Sequence, residues 1–165
     1  MSDLKPISRE AIPSAIERAN RFLLLNEPLE AESICLDVLE LDPDNQEVLI
    51  CLIRALSAQF DHRLNPAFRQ ACEILPRLED EYKRTYYHGV VCERRAKACH
   101  KRGGIGFGHV CYEWFKRAME WFKRAEAIRP AGNDDAILRW NTCVRILDRN
   151  REIVPEQETG EQMLE

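Results

Sequence analysis

Residues 113–130 read Glu113-Trp114-Phe115-Lys116-Arg117-Ala118-Met119, then Glu120-Trp121-Phe122-Lys123-Arg124-Ala125, then Glu126-Ala127-Ile128-Arg129-Pro130. The run Glu-Trp-Phe-Lys-Arg-Ala recurs after seven positions. Seven residues make about two turns of α-helix, so each residue of the second copy falls on the face of its counterpart. Phe115, Ala118, Phe122 and Ala125 therefore form one apolar stripe. Glu113 and Glu120 stand three and four residues ahead of Lys/Arg pairs, the spacing that supports an exposed helix face. Trp114 and Trp121 widen the stripe beyond one core face. They either pack beneath the glycine-containing segment that precedes them or present an aromatic anchor surface.

Apolar residues recur at spacings of three and four through the rest of the chain too, with no alternating strand pattern, so the fold class is all-α. Ile12 to Leu25 reads as a first helix with Pro13 in its opening turn, broken by Asn26-Glu27-Pro28. Leu29 to Leu41 is a second, stopped by Asp42-Pro43-Asp44-Asn45, and Gln46 to Gln59 a third. Asn65 as N-cap and Pro66 in first position open a fourth over Ala67 to Leu75, which Pro76 kinks or ends. Tyr82 to about Lys101 is a long helix, Gly103 to Gly108 a loop, and Val110 to Ile128 and Asp135 to about Arg149 the remaining helices. Pro155 to Glu165 reads as a polar, acidic, frayed tail.

Three of these helical hairpins resemble the tetratricopeptide repeat, a 34-residue unit of pattern W-x2-L-G-x2-Y…A-x3-F…P. In residues 12–45, Ala15, Ala19 and Phe22 stand at the Trp, Gly and Tyr positions, and Ala31 and Pro43 match the central Ala and final Pro. Arg18 and Cys35 depart from the Leu and Phe. Residues 46–79 place Leu49, Leu52 and Leu56 at the Trp, Leu and Tyr positions. Residues 82–130 have Gly89 at the small position and close on Ala118-x3-Phe122 and Pro130. Gly89 and Ala118 are 29 apart where the family spaces that pair by about 12, which is read as an insertion lengthening the turn. The resemblance implies antiparallel helical hairpins stacked as a short right-handed superhelix over residues 12–150, with 135–150 as a capping helix. Residues 1–11 are an N-terminal extension and 151–165 the tail.

The 165 residues suffice for one domain, and no apolar run approaches the ~20 needed to span a bilayer. Met1 to Pro6 lacks the basic-then-apolar layout of a secretion signal. Seven cysteines, an odd number and never as Cys-x-x-Cys, suit a reduced cytoplasmic protein without a disulfide framework. The net charge of −4 hides an asymmetry: residues 1–82 carry −8, residues 83–124 carry +8 and residues 125–165 carry −4. Charge acts within about a Debye length, so the basic middle matters more than the total.

Few residues carry a chemical motif. The glycine loop at 103–108 precedes a helix, as phosphate cradles do, but lacks the preceding strand and the Gly-Lys-Ser/Thr of such sites. His88, Cys92 and Cys99 share a helix face, and Cys99-His100 and His109-x-Cys111 bracket the loop. Their spacing is looser than that of paired zinc ligands, so core cysteines are the expectation, with no metal or other cofactor. No local signature marks a nucleophilic cysteine with its base, and the chain is read as no enzyme.

In tetratricopeptide proteins the first helices of successive units line a concave, partner-binding face. Here that register presents Ile16, Asn20 and Leu23, then Ile50, Arg54 and Ser57, then Lys83, Tyr86, Val90, Glu93 and Arg94. The family branch that clamps chaperone carboxylates is matched by Asn20 and Lys83 but not by Ile16, Cys51 and Tyr87. Asn20, Arg54, Lys83, Tyr86, Arg94 and Trp114 are the candidate contacts for a protein or peptide partner, an acidic-hydrophobic segment suiting them best. The alternative is a nucleic acid or other polyanion on the basic 83–124 block, where Tyr86, Tyr87, His88, Trp114 and Trp121 lie among the cations. Far-UV circular dichroism is expected to show predominantly helix; a substantial strand signal would end this reading.

Overall fold

The structure is a computed structural model that describes residues 2–156, and the rest of the expected tail lies outside them. Seven α-helices follow in order: α1 (Ile12–Leu24), α2 (Pro28–Leu41), α3 (Gln46–Ser57), α4 (Phe60–Ile74), α5 (Glu81–Arg102), α6 (Phe107–Ala127) and α7 (Asp135–Arg149). Short 3-10 turns at Arg9–Ala11 and Leu75–Arg77 precede α1 and follow α4, and no strand occurs among the described residues.

Local chemistry explains the starts. Pro28 opens α2, where its missing N–H costs nothing. Asn45 caps α3 by accepting from the Val48 N–H at 3.1 Å, and Asp80 caps α5 by accepting from that of Lys83 at 2.7 Å.

Four expectations are corrected. Helix α4 begins at Phe60 rather than after Asn65, and Asn65 is not its cap. The helix is broken at Arg63 (φ −134°, ψ 45°), which leaves Pro66 in the opening turn of the second half, where its ring meets no helical carbonyl. The glycine loop shrinks to 103–106, and α6 already starts at Phe107. A lengthened turn, expected from the 29-residue spacing of Gly89 and Ala118, is not present: the residues between them belong mostly to α5 and α6. The tail is docked rather than frayed at its start: Ile153 is buried, and Gly108, inside α6, leaves room for the Glu152 carbonyl against its Cα. At the other end, Ile7 of the N-terminal extension packs on the core.

Each helix packs against the next, and α1 also touches α3 as α3 touches α5, so these three lie side by side. Two cores result. Leu49, Ile53, Leu56, Phe60 and Leu75 centre the first, within α1 to α4. Phe115, Ala118, Phe122 and Ala125, the stripe read from the heptad, centre the second with Ala136 and Cys143 of α7. Helix α5 serves both, giving Val91 and Ala98 to the first and Val90, Cys92 and Ala96 to the second.

Gly89 lets α5 and α6 close on one another. A Cβ there would sit 2.5 Å from Cε1 of the fully buried Phe122 ring. Gly89→Ala gains about 1 kcal/mol of helix propensity but overpacks a rigid site, which costs about 1–3 kcal/mol. Urea unfolding is expected to show a net loss of stability, partly recovered when Phe122→Leu is added.

Candidate functional site

A cleft of about 290 Å³ opens where α1, α3, α5 and α7 meet, lined by Leu23, Asn26, Arg54, Ser57, Ala58, Tyr86, Tyr87, Val90, Arg94 and Arg139. Its size is at the lower end for small-ligand sites and matches one or two side chains better than a large cofactor. The positions follow helical geometry. Arg54 and Ser57 are three apart on α3, and Tyr86, Val90 and Arg94 are each four apart on α5.

The cleft is cationic at its mouth and polar at its base. Its lining includes three arginines and no carboxylate. Arg54 donates to the Asn20 side-chain oxygen at 3.4 Å, and neither Arg54 nor Arg94 forms an ion pair among the described residues. The Ser57 hydroxyl is buried and has no hydrogen-bond partner among the described residues. Burial, then the neighbouring Tyr86 hydroxyl, raises the Tyr87 phenol above its ordinary value, so Tyr87 stays a neutral donor at physiological pH.

Glu93 does not face the cleft, as the repeat register had it; it is fully buried. Arg139 donates to it at 2.8 Å and Lys97 pairs with it from the next turn of α5. Arg139 also donates to the Tyr86 hydroxyl at 3.2 Å, which fixes that ring against the cleft. Burial works against the Arg139 charge, and the Glu93 carboxylate outweighs it, so its pKa moves upward.

Of the six candidate contacts, Arg54, Tyr86 and Arg94 line the cleft and Asn20 holds Arg54. Lys83 sits exposed in the first turn of α5 and Trp114 on α6, and neither lines it. Ile16 is a core residue. Trp114 packs edge-on against Phe68 of α4 with Arg95 and Arg117 over its ring, so it lies against α4 and not beneath the glycine segment. His88 stacks on Trp121 at 4.3 Å. Of the Cys/His set only Cys99 and Cys111 meet, and among the described residues no three His, Cys, Asp or Glu side chains come together as metal ligands.

Arg139 was the residue missed, assigned only to a capping helix. Its signal was present: it falls between Ala136 and Cys143, both fully buried, on the inward face of α7. Glu93 likewise falls between Gly89 and Ala96 on the inward face of α5. A charge at an inward-facing position calls for a partner of opposite sign; Glu93 is fully buried and Arg139 reaches it from a half-buried position. Compared with family models, with curated proteins and with solved structures, the chain finds no match in any of the three.

Breaking such a pair from one side strands the other charge, at about 3–5 kcal/mol, whereas apolar replacement of both is often neutral. Lys97 remains beside Glu93, so Arg139→Met is expected to cost less, about 1–3 kcal/mol in urea unfolding. Adding Glu93→Leu should restore most of it.

Proposed function

We propose that the protein is a tetratricopeptide-type binding module in which α1, α3 and α5 form the inner face of a short right-handed stack of antiparallel hairpins. Its role is to hold a protein or peptide segment of acidic-hydrophobic character. The observation that carries this reading is the cleft itself: Arg54 and Arg94 stand open at its mouth without ion-pair partners, beside Leu23, Tyr86 and Val90. Desolvated cations facing a complementary anion give orientation and specificity, while the apolar contacts supply area. Leu24 and Leu25 are 82% and 61% exposed next to Asn26 at the cleft edge, which extends an apolar rim for the same partner. A cytoplasmic setting and a non-enzymatic role belong to this proposal. The cleft's side chains bind and orient, and its lining includes no cysteine, histidine or carboxylate to act as nucleophile or base.

One observation favours the polyanion reading as a second. Arg95 and Arg117 lie over Trp114, and Arg124 over Trp121, which places cations and indole rings together on α5 and α6. Nucleic-acid binding there would weaken steeply with salt, as counterions are released. The membrane is the partner class with least support, since no described helix is long and apolar enough to cross one.

The charge-reversed Arg54→Glu/Arg94→Glu protein separates the readings. Both residues are exposed, so helicity and melting temperature are expected to stay within the small changes typical of surface substitutions, under ~0.5 kcal/mol. Partner capture from native extract should be lost with the double variant and retained with Lys116→Glu/Lys123→Glu on α6. Undiminished capture by the cleft variant, or loss only with the α6 variant, would shift the site to the basic helix pair.

A further inference from the structure

Cys99 lies in the last turn of α5 and Cys111 in the second turn of α6, on either side of the 103–106 turn. Their Sγ atoms are 2.7 Å apart. A disulfide bond is about 2.05 Å long, so the two sulfurs are within a fraction of an ångström of bonding distance. The two members are unequal. Cys111 is fully buried, whereas Cys99 is only partly buried, and burial pushes the Cys111 thiol up to about 12.

The other cysteines lack this combination. Cys35 and Cys51 are hydrogen-bonded, but both are buried. Cys72 is exposed without a neighbouring thiol bond, and Cys92 and Cys143 are buried.

We propose that Cys99 and Cys111 are a reversible dithiol–disulfide pair, with Cys99 as the residue that meets a peroxide oxidant and Cys111 as the one that closes the bond. The Cys99 thiolate attacks one oxygen of hydrogen peroxide, the O–O bond breaks, and hydroxide leaves to be protonated to water. Cys99 is then a sulfenic acid. The Cys111 sulfur attacks the Cys99 sulfur, the S–O bond breaks, and the departing hydroxide takes the Cys111 proton as water. Two thiols and one peroxide give one disulfide and two waters. An external dithiol reverses the step.

The bond would pin the α5–α6 turn where the chain beyond α7 docks. There Glu152 pairs with His100 at 3.0 Å, its carbonyl rests on Gly108, and Ile153 is buried. This stands independently of the partner proposed for the cleft.

The full chain, reduced and then exposed to hydrogen peroxide under native conditions, tests this by intact mass and peptide mapping. Expected is a loss of two hydrogen atoms, a single linkage joining Cys99 to Cys111, and a count of free thiols lowered by two from seven. Dithiothreitol should restore the starting mass and thiol count. Cys111→Ser should leave a sulfenic acid at Cys99 that a cyclic 1,3-diketone traps. A linkage between other cysteines, intermolecular bonding through Cys72, over-oxidation without any linkage, or an unchanged thiol count would each overturn the proposal. The wild-type map decides the matter even if a serine variant folds poorly.

Discussion

The close approach of α5 to α6 at Gly89 is the constraint on which the other contacts rest. With no side chain at that position, the Phe122 ring lies directly on the α5 backbone. The paired helices then run on together over 22 and 21 residues, and α5 presents one flank to each core. Val91 and Ala98 are inserted among the side chains of α1 to α4, while Val90, Cys92 and Ala96 meet α6 and α7. Small residues at the shared helix are what allow contact on both sides, because interiors are packed too densely to tolerate an extra methylene.

The buried pair of Glu93 and Arg139 does for the cleft what Gly89 does for the cores. It ties α7 to α5 and turns Tyr86 toward the opening. It also accounts for part of the basic block, whose charges are less free than a count of them implies. Lys97 is paired with Glu93, Lys101 with Asp61 at 2.5 Å, and Arg84 donates to the Leu78 carbonyl. Arg95 is spread over Phe68 and Trp114. The cations left without ion pairs at the cleft mouth are therefore more telling than the +8 total.

Much of the fold was legible because it depends on periodicity. The Phe115, Ala118, Phe122 and Ala125 stripe is fully buried, and α7 runs from Asp135 to Arg149 as the apolar spacing places it. The misread segments share a physical cause. Gly106 has φ 72°, a turn conformation, whereas Gly108 is helical and chosen for the close approach of Glu152. Sequence alone gives the same residue type for both. Helix α4 was misjudged because proline signals a boundary without saying whether the chain ends there or bends, and here Arg63 absorbs the bend. On the candidate site, the α3 and α5 positions came from the repeat register, which includes the cleft residues Arg54, Tyr86 and Arg94 but misplaces the buried Glu93. The spacing of Arg139 from Ala136 and Cys143 marks it as inward-facing, but which helix it meets is set by the packing of α7.

The cleft's composition limits what kind of recognition it can perform. At about 290 Å³ it encloses too little of any ligand to bind tightly by enclosure. Affinity must come from a surface that continues beyond it, and the exposed Leu24 and Leu25 at the α1 end supply apolar area there. A proposed partner that places an anion near Arg54 and Arg94 and an apolar side chain on Leu24 would meet both features at once. A chain lacking either leaves a charge or an apolar face uncompensated, and selectivity follows from that requirement more than from the strength of any one contact.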